Sequence, residues 1–140
     1  MAAWLIPELS VTDWRASLRF YEDMLGFTCA YDRPDEGFAF LTLGEVSLMI
    51  DQMDLGRSFD TALTATDRPF GRGINLQIQV TDLSPILARL TEANWPLVLP
   101  LEDRWYRRGI LETGNRQIVV ADPDGYLLRF FQDLGQRPAR

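Results

Sequence analysis

The chain has no histidine and only one cysteine, Cys29. Without imidazole there is no Ser-His-Asp triad, no histidine general base and no imidazole metal ligand. A single thiol cannot close an internal disulfide, and the two shortages together exclude a zinc site of the usual His/Cys kind. Such cysteine usage makes the cytoplasm the expected compartment. Long hydrophobic runs are missing as well. No stretch approaches the roughly 20 apolar residues that cross a bilayer. The start "MAAWLIPELS" also lacks the basic opening and long apolar run of a signal peptide, so no membrane partner is expected. Positive charge is scarce. A net charge of −6 argues against nucleic acid, which basic surfaces bind, and would suit a cationic ligand.

What is present is ordinary for a soluble globular chain, with 46% hydrophobic and 24% charged residues. At 140 residues it reads as one domain, or as two small halves sharing a core. The halves are visible as a repeat. Val11-Thr12-Asp13 returns 69 residues later as Val80-Thr81-Asp82, and Leu9, Leu18 and Tyr21 then fall on Ile78, Leu87 and Leu90. Each copy reads as a strand, a capping Asp (Asp13, Asp82) and an amphipathic helix. The first helix is expected over about 14–25, with Gly26 as its stop. The second is expected over about 83–94, with Pro85 in the first turn, where no donor is needed.

After each helix come short alternating runs, at about 27–32, 37–43 and 45–51, then 97–102, 115–121 and 126–132. Gly44-Glu45 and Asp122-Pro123-Asp124-Gly125 read as tight turns. The fold class is therefore α+β, a tandem βαβββ arrangement in a curved mixed sheet. Its halves are about 4–51 and 73–132, joined by a linker over 52–72. Residues 103–114 are an insertion absent from the first half.

The strands have two faces. One, with Leu9, Val11, Ala39, Leu41, Leu48, Ile50, Ile74, Ile78, Leu128 and Phe130, is apolar and should pack on the helices. The other mixes Glu8, Phe38, Phe40, Met49, Asn75, Gln77, Gln79, Arg129 and Phe131. Large side chains on a plain water-facing strand forgo roughly 1.5–3 kcal/mol each. A lined groove accounts for both residue kinds, since ligand pockets combine apolar walls with a few orienting polar groups.

"PELSVTDWRASLRFYEDMLGF" (7–27) and "VVADPDGYLLRFFQ" (119–132), joined by the repeat, resemble the vicinal oxygen chelate superfamily. That group contains glyoxalase I, extradiol dioxygenases, fosfomycin-resistance enzymes and bleomycin-resistance proteins. The resemblance covers roughly residues 4–132. It implies that metal-dependent members carry His, Gln or Glu at four strand positions, which fall here on Ile6, Met49, Asn75 and Arg129. A hydrocarbon, a thioether, an amide and a guanidinium do not chelate a divalent cation. No cofactor or metal is therefore expected.

The remaining branch resembles the bleomycin-resistance proteins, which bind a drug without changing it, and "PELSV" and "EGFAFLTLGEVSLMI" (36–50) look like it. It implies a homodimer and a small-molecule ligand, an antibiotic or another flat hydrophobic or cationic compound, held between aromatic rings. Phe38 lies where that branch has a stacking Phe, but its second stacking Phe falls on Arg33 and its Trp near Gly114. Trp105 and Tyr106, in the insertion, are candidates to replace those rings. The alternative is a glyoxalase-like lyase or a dioxygenase with an atypical site.

Among single residues, "DRWYRRG" (103–109) reads either as a loop packed on the sheet or as a lid whose arginines meet an anionic group or the chain's own carboxylates. Arg129 must reach a partner or water, and Glu8 is the candidate on its face. Asn75 and Gln77 are candidates to orient a ligand, whereas Gln79 reads as structural. Cys29 reads as core packing, and Trp4 as part of a groove rim or a dimer interface.

Overall fold

The computed structural model describes residues 3–140 and falls into two compact units. One runs up to Arg72 and takes in Asp122–Gly125; the other comprises Gly73–Ala121 and Tyr126–Arg140. The first contains β1 (Glu8–Val11), α1 (Trp14–Arg19), a π-helical turn over Phe20–Met24, β2 (Thr28–Arg33), β3 (Phe38–Leu43) and β4 (Val46–Gln52). The second contains β5 (Asn75–Gln79), α2 (Ser84–Glu92), β6 (Leu97–Arg108), β7 (Leu111–Ala121) and β8 (Leu127–Pro138). Each unit holds one mixed four-stranded sheet in the same order, β1-β4-β3-β2 and β5-β8-β7-β6. The β1/β4 and β5/β8 pairs are parallel and the others antiparallel. This is the tandem βαβββ topology of an α+β protein.

The repeat extends to the helix starts. Trp14 N–H donates to Gln52 Oε1 at 3.1 Å, and Leu83 N–H donates to Gln132 Oε1 at 2.7 Å. In both halves a glutamine from the last strand satisfies a helix donor that has no partner within the helix. Asp13 also caps α1, accepting from the N–H groups of Arg15 and Ala16. Asp82 Oδ1 accepts from Ser84 N–H at 2.9 Å, which holds its carboxyl below the usual range.

The expected apolar face is buried: Leu9, Val11, Ala39, Leu41, Leu48 and Ile50 in one unit, and Ile78, Leu128 and Phe130 in the other. Ile74 is the exception, 59% exposed just before β5 begins. Cys29 is half-buried rather than in the core. It lies at a register shift between β2 and β3, its thiol facing the Tyr31 carbonyl at 3.4 Å, and burial pushes its pKa up.

The resemblance-bearing motifs build a clamp within the first unit. In the Asp122–Gly125 turn, Asp124 Oδ2 accepts from Thr12 N–H at 3.1 Å and Oδ1 from the Thr12 hydroxyl at 2.7 Å. Asp122 Oδ2 accepts from the Tyr21 hydroxyl at 2.8 Å. The π turn carries Tyr21, which packs edge-on against Phe20 and Phe27. The end of the linker joins the same turn, where Phe70 N–H donates to Asp124 O and Gly71 N–H to Gly125 O.

The last three strands depart most from expectation. Residues 103–114 are no loop or lid: β6 and β7 run on as a long hairpin with its tip at Gly109-Ile110, and β8 reaches Pro138. No glycine or proline interrupts 101–108, and Gly109 at φ +66° makes the turn.

Candidate functional site

Cross-strand register assembles the mixed face in each unit. In the first, Glu8 and Phe40 both lie opposite Met49, Phe38 opposite Asp51, and Tyr31 opposite Phe40. Tyr31 and Phe40 stack with centroids 5.2 Å apart and planes within 13°. Phe38 does not present an open ring. It is 3% exposed, with the Arg33 guanidinium 3.8 Å from its centroid and Tyr31 tilted beside it. Arg33 is itself paired with Glu36. Asp51 is buried, its Oδ1 has no hydrogen-bond partner, and burial together with the like charges of Glu8 and Glu36 pushes its carboxyl up against the opposing pull of Arg33.

In the second unit, Gln77 lies opposite Arg129 and Gln79 opposite Phe131, on a face that also carries Gln117 and Tyr106. Arg129, for which Glu8 was the expected partner, finds hydrogen-bond partners within its own unit. Its Nε and Nη2 donate to Gln117 Oε1 at 3.1 and 3.0 Å, and Nη2 also donates to the Tyr106 hydroxyl oxygen at 2.9 Å. Gln117, 1% exposed, donates from Nε2 to Tyr106 Oη at 2.6 Å and to Glu102 Oε1 at 3.0 Å. The guanidinium is thus pinned by a neutral amide, and its charge is not cancelled.

A cavity of about 550 Å³ opens on this face. Its walls include Gln77, Gln79, Tyr106, Arg129 and Phe131. Gln79, read as structural from sequence, belongs to them. Asn75 is exposed outside the lining, and Trp105 and Tyr106 do not act together. Neighbouring strand residues point to opposite faces. Tyr106 faces the cavity, whereas the Trp105 indole covers Gly114, where a Cβ would come within 2.8 Å of its ring carbons, and Arg137 lies 4.0 Å over it. Sequence reasoning missed Thr113 and Asn115 in the lining and Gln117 behind it; the available signal for Gln117 was an amide directly before the apolar run 118–121.

A second cavity of about 560 Å³ lies by the start of α2, lined by Asp82, Glu102, Asp103, Arg116 and Gln132 among others. Most of its polar groups are engaged. Asp82 serves the helix start, Gln132 accepts from Leu83, and Asp103 takes two hydrogen bonds from Arg116 at 2.8 and 2.9 Å, which lower its carboxyl pKa.

The chemistry of the four strand positions does not fit a metal. Ile6 has no donor, Met49 a weak one, Asn75 a neutral carbonyl, and Arg129 holds a cation in place through Gln117 and Tyr106.

Two mixed βαβββ sheets, each with one apolar face and one face of aromatic, amide and charged groups, define the class of protein. A family model described as the Glyoxalase/Bleomycin resistance protein/Dioxygenase superfamily matches residues 5–130, and the chain belongs to that superfamily. It is 29% identical to a bleomycin resistance protein of Geobacillus stearothermophilus, over 92% of this chain and 96% of the relative. Among solved structures it is similar to TioX from Micromonospora sp. ML1, with TM-score 0.67 and 24% identity over 95% of this chain and 100% of that one. It is similar as well to a virulence protein of Salmonella typhimurium, with TM-score 0.66 and 21% identity over 94% and 97%. Among the described residues no helix is long and apolar enough to cross a membrane.

Proposed function

We propose that the protein is a metal-independent binder that sequesters a small molecule, an antibiotic or another flat compound, without transforming it. The observation that carries this is the pinned Arg129 guanidinium, which lines a cavity from a strand position that the superfamily resemblance assigns to a metal ligand. The curated bleomycin resistance relatives support the class of ligand. Bleomycin itself is a poorer match. Arg33 lies over Phe38 in the first unit, and Trp105 fills the space above Gly114 in the second.

We also propose a homodimer, supported by the exposure of Trp4 (99%) and Leu5 (82%) on the N-terminal segment. Light scattering of wild type and Trp4→Ala tests it: a wild-type monomer rejects the dimer.

The binding reading is tested by a thermal-shift screen against antibiotics and central metabolites, followed by mass spectrometry of each stabilising compound after prolonged incubation. The compound should be recovered unchanged. A chemically altered compound, or stoichiometric Ni, Zn, Mn or Fe in the purified protein, overturns the proposal in favour of a lyase or dioxygenase.

A further inference from the structure

The cavity of the second sheet gathers positive charge. Arg107, Arg108 and Arg129 line it, with Asp133 as its one carboxylate. Asp133 Oδ1 accepts from Gly135 N–H at 2.8 Å. Four arginines elsewhere meet acids: Arg33 with Glu36, Arg68 with Asp124, Arg116 with Asp103 and Arg137 with Glu112. Among the described residues the three cavity arginines have no ion-pair partner; Arg107 Nε donates only to the Gly109 carbonyl. The chain's net charge is −6, and its 14 basic side chains are all arginines. Three unpaired cations around one cavity of such a chain make a local field that favours an anion, against the overall charge.

Hydrogen-bond directions sharpen this. The Tyr106 oxygen accepts from both Gln117 and Arg129, so its own proton is directed away from them. The Arg129 Nε and Nη2 are used within the sheet, which leaves the two N–H groups of Nη1 without a partner among the described residues. Thr113 Oγ1, in the same lining, has no partner either. One guanidinium edge beside one hydroxyl donor is a two-point acceptor site, the shape of a carboxylate. Tyr106 and Phe131 supply ring surface next to it.

We propose that this cavity selects an aromatic carboxylate, its oxygens meeting Arg129 Nη1 and the Tyr106 hydroxyl and its ring lying along Phe131. Arg107 and Arg108, at the end of the hairpin, raise the local positive potential. The proposal rests on the ligand-binding reading above and names the chemistry of the ligand's head group.

The test is calorimetric titration with 2-naphthoate, 2-naphthamide and 2-naphthylmethylamine, one ring system with an anionic, a neutral and a cationic head. Naphthoate should bind about tenfold tighter than the amide, the factor that a charge-assisted pair contributes. Arg129→Gln and the double variant R107Q/R108Q should each erode that preference, while Arg116→Gln, whose guanidinium is held by Asp103, keeps it. The double variant, on the exposed hairpin, preserves the test if Arg129→Gln fails to fold. Amide or amine binding as tightly as the carboxylate overturns anion selection and leaves the binding reading standing. A preference that survives both cavity variants overturns the site. Failure of all three compounds to bind also overturns the proposal, and the antibiotic screen then decides the broader reading separately.

Discussion

Asp124→Asn probes what the superfamily motifs do in this chain. Asp124 is 1% exposed and its two oxygens each take a hydrogen bond from Thr12, one from the backbone N–H and one from the hydroxyl. Asparagine keeps the volume but not the charge: its oxygen can accept from the Thr12 N–H while its NH2 donates to the Thr12 hydroxyl, which then serves as acceptor. The variant exchanges two hydrogen bonds to a charged acceptor for two neutral ones and gives up the Arg68 guanidinium at 3.9 Å, a cost of about 2 kcal/mol. That is a sizeable share of the roughly 5–15 kcal/mol that holds a domain together. With a urea slope of about 2 kcal/mol/M, the unfolding midpoint should fall by about 1 M. The assay is urea unfolding followed by tryptophan fluorescence. Thr12→Val removes only the hydroxyl and should cost about 1 kcal/mol; combined with Asp124→Asn it should cost less than the sum, because both act on one bond. An Asp124→Asn midpoint indistinguishable from wild type, or strict additivity, would refute the clamp.

Two further stability predictions follow from buried groups. Asp51 has a raised carboxyl pKa in the fold, so the folded chain binds its proton at a higher pH than the unfolded chain does. Stability must then rise as pH falls through the raised value towards the unfolded value of about 3.9. Asp51→Asn should therefore be more stable than wild type at pH 7, with the gap narrowing on acidification through that window; urea midpoints across pH check this, and a constant gap would contradict it. Gly114→Ala should lower the thermal midpoint, since its Cβ would meet the Trp105 ring at 2.8 Å under the covering Arg137, an overpacking cost of about 1–3 kcal/mol. Trp105→Leu in the same background should restore part of the loss, and no restoration would place the strain elsewhere.

The two-fold repeat was legible because period-two alternation and capping residues are local signals. Val11-Thr12-Asp13 and Val80-Thr81-Asp82 mark equivalent strand ends, and the helices and tight turns follow from residues next to them. The hairpin was not legible. Arg104, Trp105, Tyr106, Arg107 and Arg108 do not alternate in polarity, and what makes them a strand is pairing with 111–115 across the register, a long-range choice. The face of each strand could be read from its period, so Gln77, Arg129, Phe40 and Met49 were placed correctly on it. Which groups would touch could not. Arg129 looks unpaired along its own strand, and Gln117 becomes its partner only when β7 is laid beside β8. Phe38 likewise counted as an open ring until β2 brought Arg33 over it.

The motifs that identify the superfamily and the groups that meet a ligand are thus different sets. Thr12, Tyr21, Asp122 and Asp124 spend their polar atoms on one another, so a chain can keep the family's signature while changing what it binds. Gln117 is where this separation can be tested. Its amide oxygen accepts twice from Arg129 and its NH2 serves Tyr106 and Glu102, so the guanidinium is oriented by a neutral group and keeps its charge. Gln117→Glu leaves oxygens in place to hold Arg129 but cancels its charge and sets a carboxylate against Glu102, 3.0 Å from the present amide nitrogen. If charge selects the ligand, 2-naphthoate should lose about tenfold more affinity than 2-naphthamide, since both share whatever is lost when the Tyr106 proton turns to the new carboxylate. Gln117→Met, which removes the anchor and keeps the charge, should weaken both compounds by loosening Arg129 and Tyr106. Calorimetry on the two variants separates field from shape, and equal losses for both ligands in Gln117→Glu would mean that position alone, and not charge, governs the cavity.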